Sequence, residues 1–184
     1  MSPIETCDLV LLPADPALAP GVADYYARNR AFLSPFEGEH PEDFYTVSYQ
    51  RAVLTADARH AAEDRDYRFL LMQRPASQRV IGSIALSNVV RGAFHSAFVG
   101  YKADAALQGR GYMTQALLAL TAFAFGPLNL HRLEINVMPR NIASRRVAEK
   151  AGFAQEGLAK AYLRIGGVWE DHLHYVRLNP DWRP

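Results

Sequence analysis

Leu107-Gln108-Gly109-Arg110-Gly111-Tyr112-Met113, followed without a break by Thr114-Gln115-Ala116-Leu117-Leu118-Ala119-Leu120-Thr121-Ala122-Phe123-Ala124-Phe125, decides how this chain is read. Two glycines one residue apart open an almost wholly apolar segment, which predicts a long helix. An extended run, Ser96-Ala97-Phe98-Val99-Gly100-Tyr101, precedes them. Strand, glycine turn and helix start, in that order, make an anion cradle. First-turn N–H groups of a helix have no intrahelical partner, and the macrodipole adds about half a positive charge there. Glycines let backbone approach a pyrophosphate closely, because no Cβ intervenes. A glycine pair alone equally fits an ordinary tight strand-to-helix turn.

The bulk properties frame that reading. At 184 residues the chain has the size of one domain with a full core. The net charge of +1, with acids and bases nearly balanced, gives no electrostatic case for bulk nucleic acid or a membrane surface. The single cysteine, Cys7, excludes an internal disulfide and fits a reducing compartment. No basic segment with an apolar run opens the chain, and the helix after Gly111 is too short to span a bilayer. A cytoplasmic protein, monomeric or dimeric, is expected.

Working outward, residues 6–12 read as a strand stopped by Pro13, and Pro16 to Arg30 as a helix capped by Asp15. The stretch from Asn29 to Pro41 reads as a loop carrying Phe32, Leu33 and Phe36; a loop with aromatics folds onto the core or lines a pocket. A second helix is expected from Glu42 to about Ala62. Tyr67 to Gln73 and Val80 to Leu86 read as paired strands across a turn from Pro75 to Gln78, and Asn88 to Gly92 as the turn into a strand from Phe94 to Tyr101. His131 to Met138 is a strand with Leu133, Ile135 and Val137 on one face. Ile142 to Ala151 is a short helix, capped by Asn141 and stopped at Gly152. Ala161 to Ile165 and Val168 to Leu178 form a hairpin about Gly166-Gly167. Hairpins and helical crossovers together require a mixed sheet.

Gln108-Gly109-Arg110-Gly111 resembles the Q/R-x-x-G-x-G/A loop of the Gcn5-related N-acetyltransferases (GNAT), although Met113 stands where the family has Gly or Ala. Asn141-Ile142-Ala143-Ser144, with Gly152-Phe153 and Glu156-Gly157 beyond, resembles the family's second signature, N-x-x-S…GF…EG. Residues 23–33, 87–95 and 167–172 are similar to the RimJ-like branch, which acetylates the N-terminal alanine of a small-subunit ribosomal protein. The resemblance implies an α/β (α+β) GNAT fold: one domain over 1–184, its mixed, mostly antiparallel sheet of six to seven strands flanked by about four helices and splayed at two central strands. Acceptor-side helices and loop would occupy 16–62, the acetyl-CoA core 67–153 and the C-terminal hairpin 155–178. The partner implied is a protein or peptide N-terminus, with acetyl-CoA as cofactor and no metal.

The resemblance also assigns roles. A backbone N–H in Val99-Gly100-Tyr101 would hold the acetyl oxygen, and the N–H groups of Gln108, Gly109, Arg110, Gly111, Tyr112 and Met113 the pyrophosphate. Asn141 and Ser144 would lie beside the pantetheine arm, with Ser144 donating to the departing thiolate or simply serving as a first-turn serine. Some relatives place a carboxylate base where this chain has Leu163, others where it has Asn136, which cannot accept a proton. Glu134 shares a strand face with Asn136 and is the substitute candidate, or a salt-bridged strand residue. Tyr162, His95, His131 and the pair Asp171-His172 are further options; adjacent strand residues point to opposite faces, so only one of that pair serves the pocket. Phe36, Glu37, Asn88 and His172 are the candidate acceptor-side residues.

A weak-base site suits an α-amine. With a pKa near 8, about a tenth of it is neutral at pH 7, against about one in a few thousand for a lysine amine near 10.4. The alternatives are a small-molecule amine acceptor, favoured by an acidic pocket built from Glu37, Glu39 and Glu42, or a non-catalytic acetyl-CoA-binding or ribosome-associated module.

Overall fold

The structure is a computed structural model that describes residues 1–75 and 79–184; three residues of the expected 75–78 turn lie outside that description. Among the described residues eight strands form one sheet: β1 (Ile4–Glu5), β2 (Leu9–Pro13), β3 (Tyr67–Gln73), β4 (Gly82–Val90), β5 (Ser96–Ala103), β6 (Arg132–Val137), β7 (Ala154–Ile165) and β8 (Val168–Leu178). Their spatial order is β1-β2-β3-β4-β5-β6-β8-β7. Every neighbouring pair is antiparallel except β5 and β6. The expectation of six to seven strands falls short because the two-residue β1 carries no period to read.

Four α-helices among the described residues cover the sheet: α1 (Ala19–Leu33), α2 (Val47–Ala62), α3 (Tyr112–Phe125) and α4 (Ile142–Lys150). Leu117 and Leu120 of α3 lie fully buried with Leu11, Phe69, Leu71 and Val99 of the sheet. On the opposite face Val22, Tyr25 and Leu54 of α1 and α2 pack with Leu70 and Met72. Each such leucine contributes about 1.5–3 kcal/mol by leaving water. β3 is therefore covered on both sides, which is why Tyr67–Gln73 alternates so weakly in sequence.

Several boundaries move for local reasons. Asp15 does cap the chain's first helical turn, accepting from the Ala17 N–H at 2.8 Å, but Pro16–Leu18 is a 3-10 turn and α1 proper runs past Arg30 to Leu33. Asn29 is the reason it continues: its side chain is buried and donates to the Tyr25 carbonyl while accepting from Ala105 N–H. Residues 29–33 are thus helix and not loop. Glu42–Tyr45 is likewise a 3-10 turn, and Thr46 caps α2. β4 runs through Asn88, expected to begin a turn; a register shift between Ser87 and Val90, with Asn88 at φ +52°, makes this a bulge. β7 starts at Ala154, seven residues before the expected arm, and shifts register between Ala159 and Leu163. It is an edge strand, so its polar and small residues show no period.

Candidate active site

The chain leaves β5 through a fixed corner. The Asp104 carboxylate accepts from Ala106 N–H at 3.1 Å and pairs with Arg28 at 2.9 Å and Arg79 at 3.3 Å. Burial alone would raise this carboxyl, but those donors outweigh it and hold Asp104 below its usual range. Beyond the corner, Gly109 at φ +76° and Gly111 at φ +78° turn the backbone into α3, and a Cβ on either would enter open space. Space over a left-handed turn at a helix start is what a bound pyrophosphate needs. Met113 fits for a simple reason: it is 8% exposed and belongs to the core, so its side chain leaves the cradle clear. Arg110 is exposed. The Tyr112 hydroxyl accepts from Gln73 Nε2 at 3.0 Å, and Gln115 donates to Asp8 at 2.6 Å, pinning the first turn of α3 to the sheet.

Beside this cradle the sheet opens. Parallel pairing of β5 with β6 runs only from Ser96–Arg132 to Phe98–Glu134, so Val99, Gly100 and Tyr101 present an unpaired edge toward β6. A cleft of about 190 Å³ occupies the gap. Val99, Gly100 and Tyr101 face Asn136, Asn141 and Ser144 across it, and Phe36, Ile135, Val137, Met138, Leu163, Ile165 and His172 complete its lining. A larger, shallow groove of about 490 Å³ follows α2 from Ser48 to Arg59, but one helix alone forms it, with no carboxylate or histidine.

Asn141 caps α4 by accepting from Ser144 N–H at 3.1 Å. The Ser144 hydroxyl donates to the Tyr101 hydroxyl at 3.0 Å, and Tyr101 donates to the Ser144 carbonyl at 3.0 Å. Burial pushes the Tyr101 phenol up to about 12, so it stays a donor at working pH. Asn136 Nδ2 donates to the Tyr162 hydroxyl at 3.3 Å, while its Oδ1 is buried without a partner.

Other candidates are engaged elsewhere. Glu134 binds Arg132 at 3.0 Å and His174 Nδ1 at 2.8 Å and does not line the cleft, although it shares the strand face of Asn136. Glu37 is held by Lys102 and by His40 Nε2 at 2.9 Å. Burial raises its carboxyl, but those two partners together draw it below the ordinary value. Asn88 sits exposed at the β4 bulge with its N–H on Asp66, outside the cleft lining. His95 and His131 pack around Trp182, also outside it. Of the adjacent pair, Asp171 binds Lys160 at 2.7 Å and Ala161 N–H at 2.9 Å, whereas His172 is 3% exposed and faces the cleft.

Two residues that brace the site without lining the cleft escaped sequence reasoning. Arg140 reaches the Pro35 carbonyl at 3.0 Å and the Glu170 carboxylate at 2.9 Å, and lies over the Phe36 ring. Nothing in its local sequence marks this. His174 was accessible by strand period, being two residues from His172 on the same face.

Comparison with known proteins agrees with this geometry. Residues 8–154 match the acetyltransferase (GNAT) domain family. The probable N-acetyltransferase YjcK of Bacillus subtilis is 43% identical over 155 residues, covering 84% of this chain and 85% of that one. The ribosomal protein uS5-alanine N-acetyltransferase of Escherichia coli is 37% identical over 163 residues, 89% of this chain and 84% of that one. The crystal structure of the ribosomal-protein-S5-alanine acetyltransferase of Vibrio fischeri superposes with a TM-score of 0.95 at 32% identity, with full coverage of both chains. Structural neighbours have been solved with coenzyme A or acetyl-CoA bound. With the glycine cradle, the half-paired strands and the Asn141–Ser144 cap all in place, the chain belongs to the GNAT acetyltransferases and uses acetyl-CoA.

Proposed function

We propose that this acetyltransferase acts on the N-terminal α-amine of a protein, of the alanine- or serine-first kind, with a small-subunit ribosomal protein as the leading acceptor. The observation that carries the reading is the 37% identity across 89% of the chain to the E. coli enzyme that acetylates the uS5 alanine. The cleft supports it. No carboxylate lines the cleft among the described residues, and Glu37 and Glu134 beside it are already paired with Lys102 and Arg132 and hydrogen-bonded to His40 and His174. A lysine side chain or polyamine, cationic at neutral pH, finds no counter-charge there. An α-amine, with about a tenth already neutral at pH 7, needs none.

Bound acetyl-CoA supplies a thioester whose acetyl carbon an amine attacks, the C–N bond forming as the C–S bond breaks. Each other part falls to the chain's own groups. The cradle amides from Gln108 to Met113 hold the pyrophosphate, Arg110 adds charge at its rim, and Asn141 flanks the pantetheine arm. The unpaired β5 edge at Val99–Tyr101 offers an N–H to the acetyl oxygen, a fixed dipole that needs no reorganisation. Ser144, held by Tyr101, would lie beside the departing sulfur, and its hydroxyl would turn from Tyr101 to donate there. Asn136 holds the Tyr162 hydroxyl behind the lining. Segment 16–62 and the hairpin 155–178 would flank the acceptor around Phe36, while 67–153 carries the donor.

Thiol release from acetyl-CoA tests this with two peptides, one with a free N-terminal alanine and one with that end blocked, both carrying an internal lysine. Turnover only with the free peptide is expected. Equal turnover with both would overturn the N-terminal reading.

A further inference from the structure

His172 meets four conditions that no other residue of the cleft meets together. Leu173 and Tyr175 of β8 join the core with α3, which puts Glu170, His172 and His174 on the opposite face. Only two titratable side chains line the cleft among the described residues, Tyr101 and His172. Tyr101 is a committed donor, leaving His172 as the one group able to take a proton. Its ring is oriented: Nδ1 lies 3.0 Å from the Glu170 carbonyl oxygen. A carbonyl can only accept, so Nδ1 carries a hydrogen, and in the neutral ring Nε2 is the nitrogen with the lone pair. The orienting strand is itself fixed, because Arg140 holds the Glu170 carboxylate and the Pro35 carbonyl at once.

We propose that His172 is the catalytic base, its Nε2 taking the proton of the acceptor amine; this rests on the acetyl-transfer reading above. As the amine nitrogen bonds to the acetyl carbon, the C–S pair leaves on sulfur and the amine proton passes to Nε2. The imidazolium then gives its proton to water, and the thiolate, hydrogen-bonded by the Ser144 hydroxyl, takes one from solvent, so charge and protons balance. The groups facing the ring are few. Glu170 and Asp171 flank it on β8, and Asp171 is bound to Lys160. Tyr162 of β7 packs at 5.6 Å between ring centroids, and the same phenol packs on His174 at 4.9 Å. β6 offers neutral Asn136, with Glu134 taken by Arg132 and His174, and beyond Phe36 the Glu37 carboxylate is taken by Lys102.

The test uses two readouts. The first is long-range ¹H–¹⁵N correlation on the histidine-labelled enzyme without donor or acceptor, with His172 assigned from His172→Gln. An Nδ1-protonated neutral ring is expected; an Nε2-protonated one overturns the proposal. The second compares wild type with His172→Gln on the free-alanine peptide across pH. A fall in kcat/KM of about a hundredfold or more is expected, with acetyl-CoA affinity by calorimetry unchanged. Wild type should lose rate toward acid in two steps, from the amine and from the histidine, and the variant in the amine step alone. A variant that keeps the wild-type profile overturns the assignment. Wild type inert toward both peptides would overturn the acceptor reading instead, and the tautomer would still decide for or against His172. Should the variant fail to fold, the same tautomer in wild type, assigned by sequential connectivity, decides alone.

Discussion

Tyr101 and Ser144 join the two walls of the cleft through a pair of hydrogen bonds, and that pairing sets what each can do. If Ser144 donates to the leaving sulfur, Ser144→Ala lowers kcat by about tenfold to a hundredfold, within the range for loss of one aimed donor, and leaves acetyl-CoA affinity near wild type. A serine serving only as a helix-start residue would cost stability and no kcat, so steady-state kinetics with a denaturation curve separates the two. Gly111→Ala is the complementary case. Its φ of +78° disfavours any Cβ by about 1–2 kcal/mol, and the added methyl points into the cradle, so both thermal stability and acetyl-CoA affinity should fall. Residues of this kind were legible in the sequence: Asn141, Gly111 and Gly152 answer to backbone demands that their neighbours announce. Glu134 was legible as a salt-bridged strand residue, but its partner His174, and the partners of Glu37, were not. Lys102 stands 65 positions from Glu37, and His174 meets Glu134 only because β8 pairs with β6.

The element between α1 and α2 behaves as a strap. Phe36 lies under the Arg140 guanidinium, Arg140 holds the Pro35 carbonyl, and Glu37 is tied to Lys102 of β5. Arg140→Ala removes the tie to Pro35 and Glu170 together. The KM for the peptide should rise several-fold while the Kd for acetyl-CoA stays constant, because the cradle lies on other elements; a raised Kd for acetyl-CoA would refute this division. In the sequence this segment reads as an aromatic loop, which locates it correctly near a pocket but cannot name its anchors. α3 was legible because an apolar run after a glycine turn has one outcome, and β8 because a Gly166-Gly167 turn announces the hairpin it belongs to. β7 was half visible, since an edge strand exposed on most of its length leaves no hydrophobic period. A tighter constraint lies at Gly82 in β4, where a Cβ would stand 2.5 Å from the Lys102 carbonyl oxygen. Gly82→Ala must move backbone, and a loss of about 1–3 kcal/mol in urea unfolding is expected.

Across the whole molecule, paired carboxylates set the acid limit. Glu37 and Asp104 have folded pKa values below their ordinary 4.5 and 3.8, so each contributes stability that is present above those values and lost as pH falls through the folded ones. Asp57 opposes them: burial raises its carboxyl despite Arg68 and His60, and its protonation on acidification relieves that cost. Urea stability should hold from neutrality to about pH 5 and decline below 4.5, with Lys102→Met flattening the upper part of the decline. The short β5–β6 seam has a further consequence. Every strand before it comes from residues 4–103 and every strand after it from 132–178, so the seam in space is also a division in the chain. A protein cut in the Gly126–Asn129 turn would yield two fragments, each keeping its own antiparallel ladder and one wall of the cleft. Their reunion would be driven by β5–β6 pairing and by the core that α3 shares with Leu133, Ile135 and Val137, and strengthened by a donor that, bound as proposed, would touch both, making acetyl-CoA a molecular glue for its own enzyme.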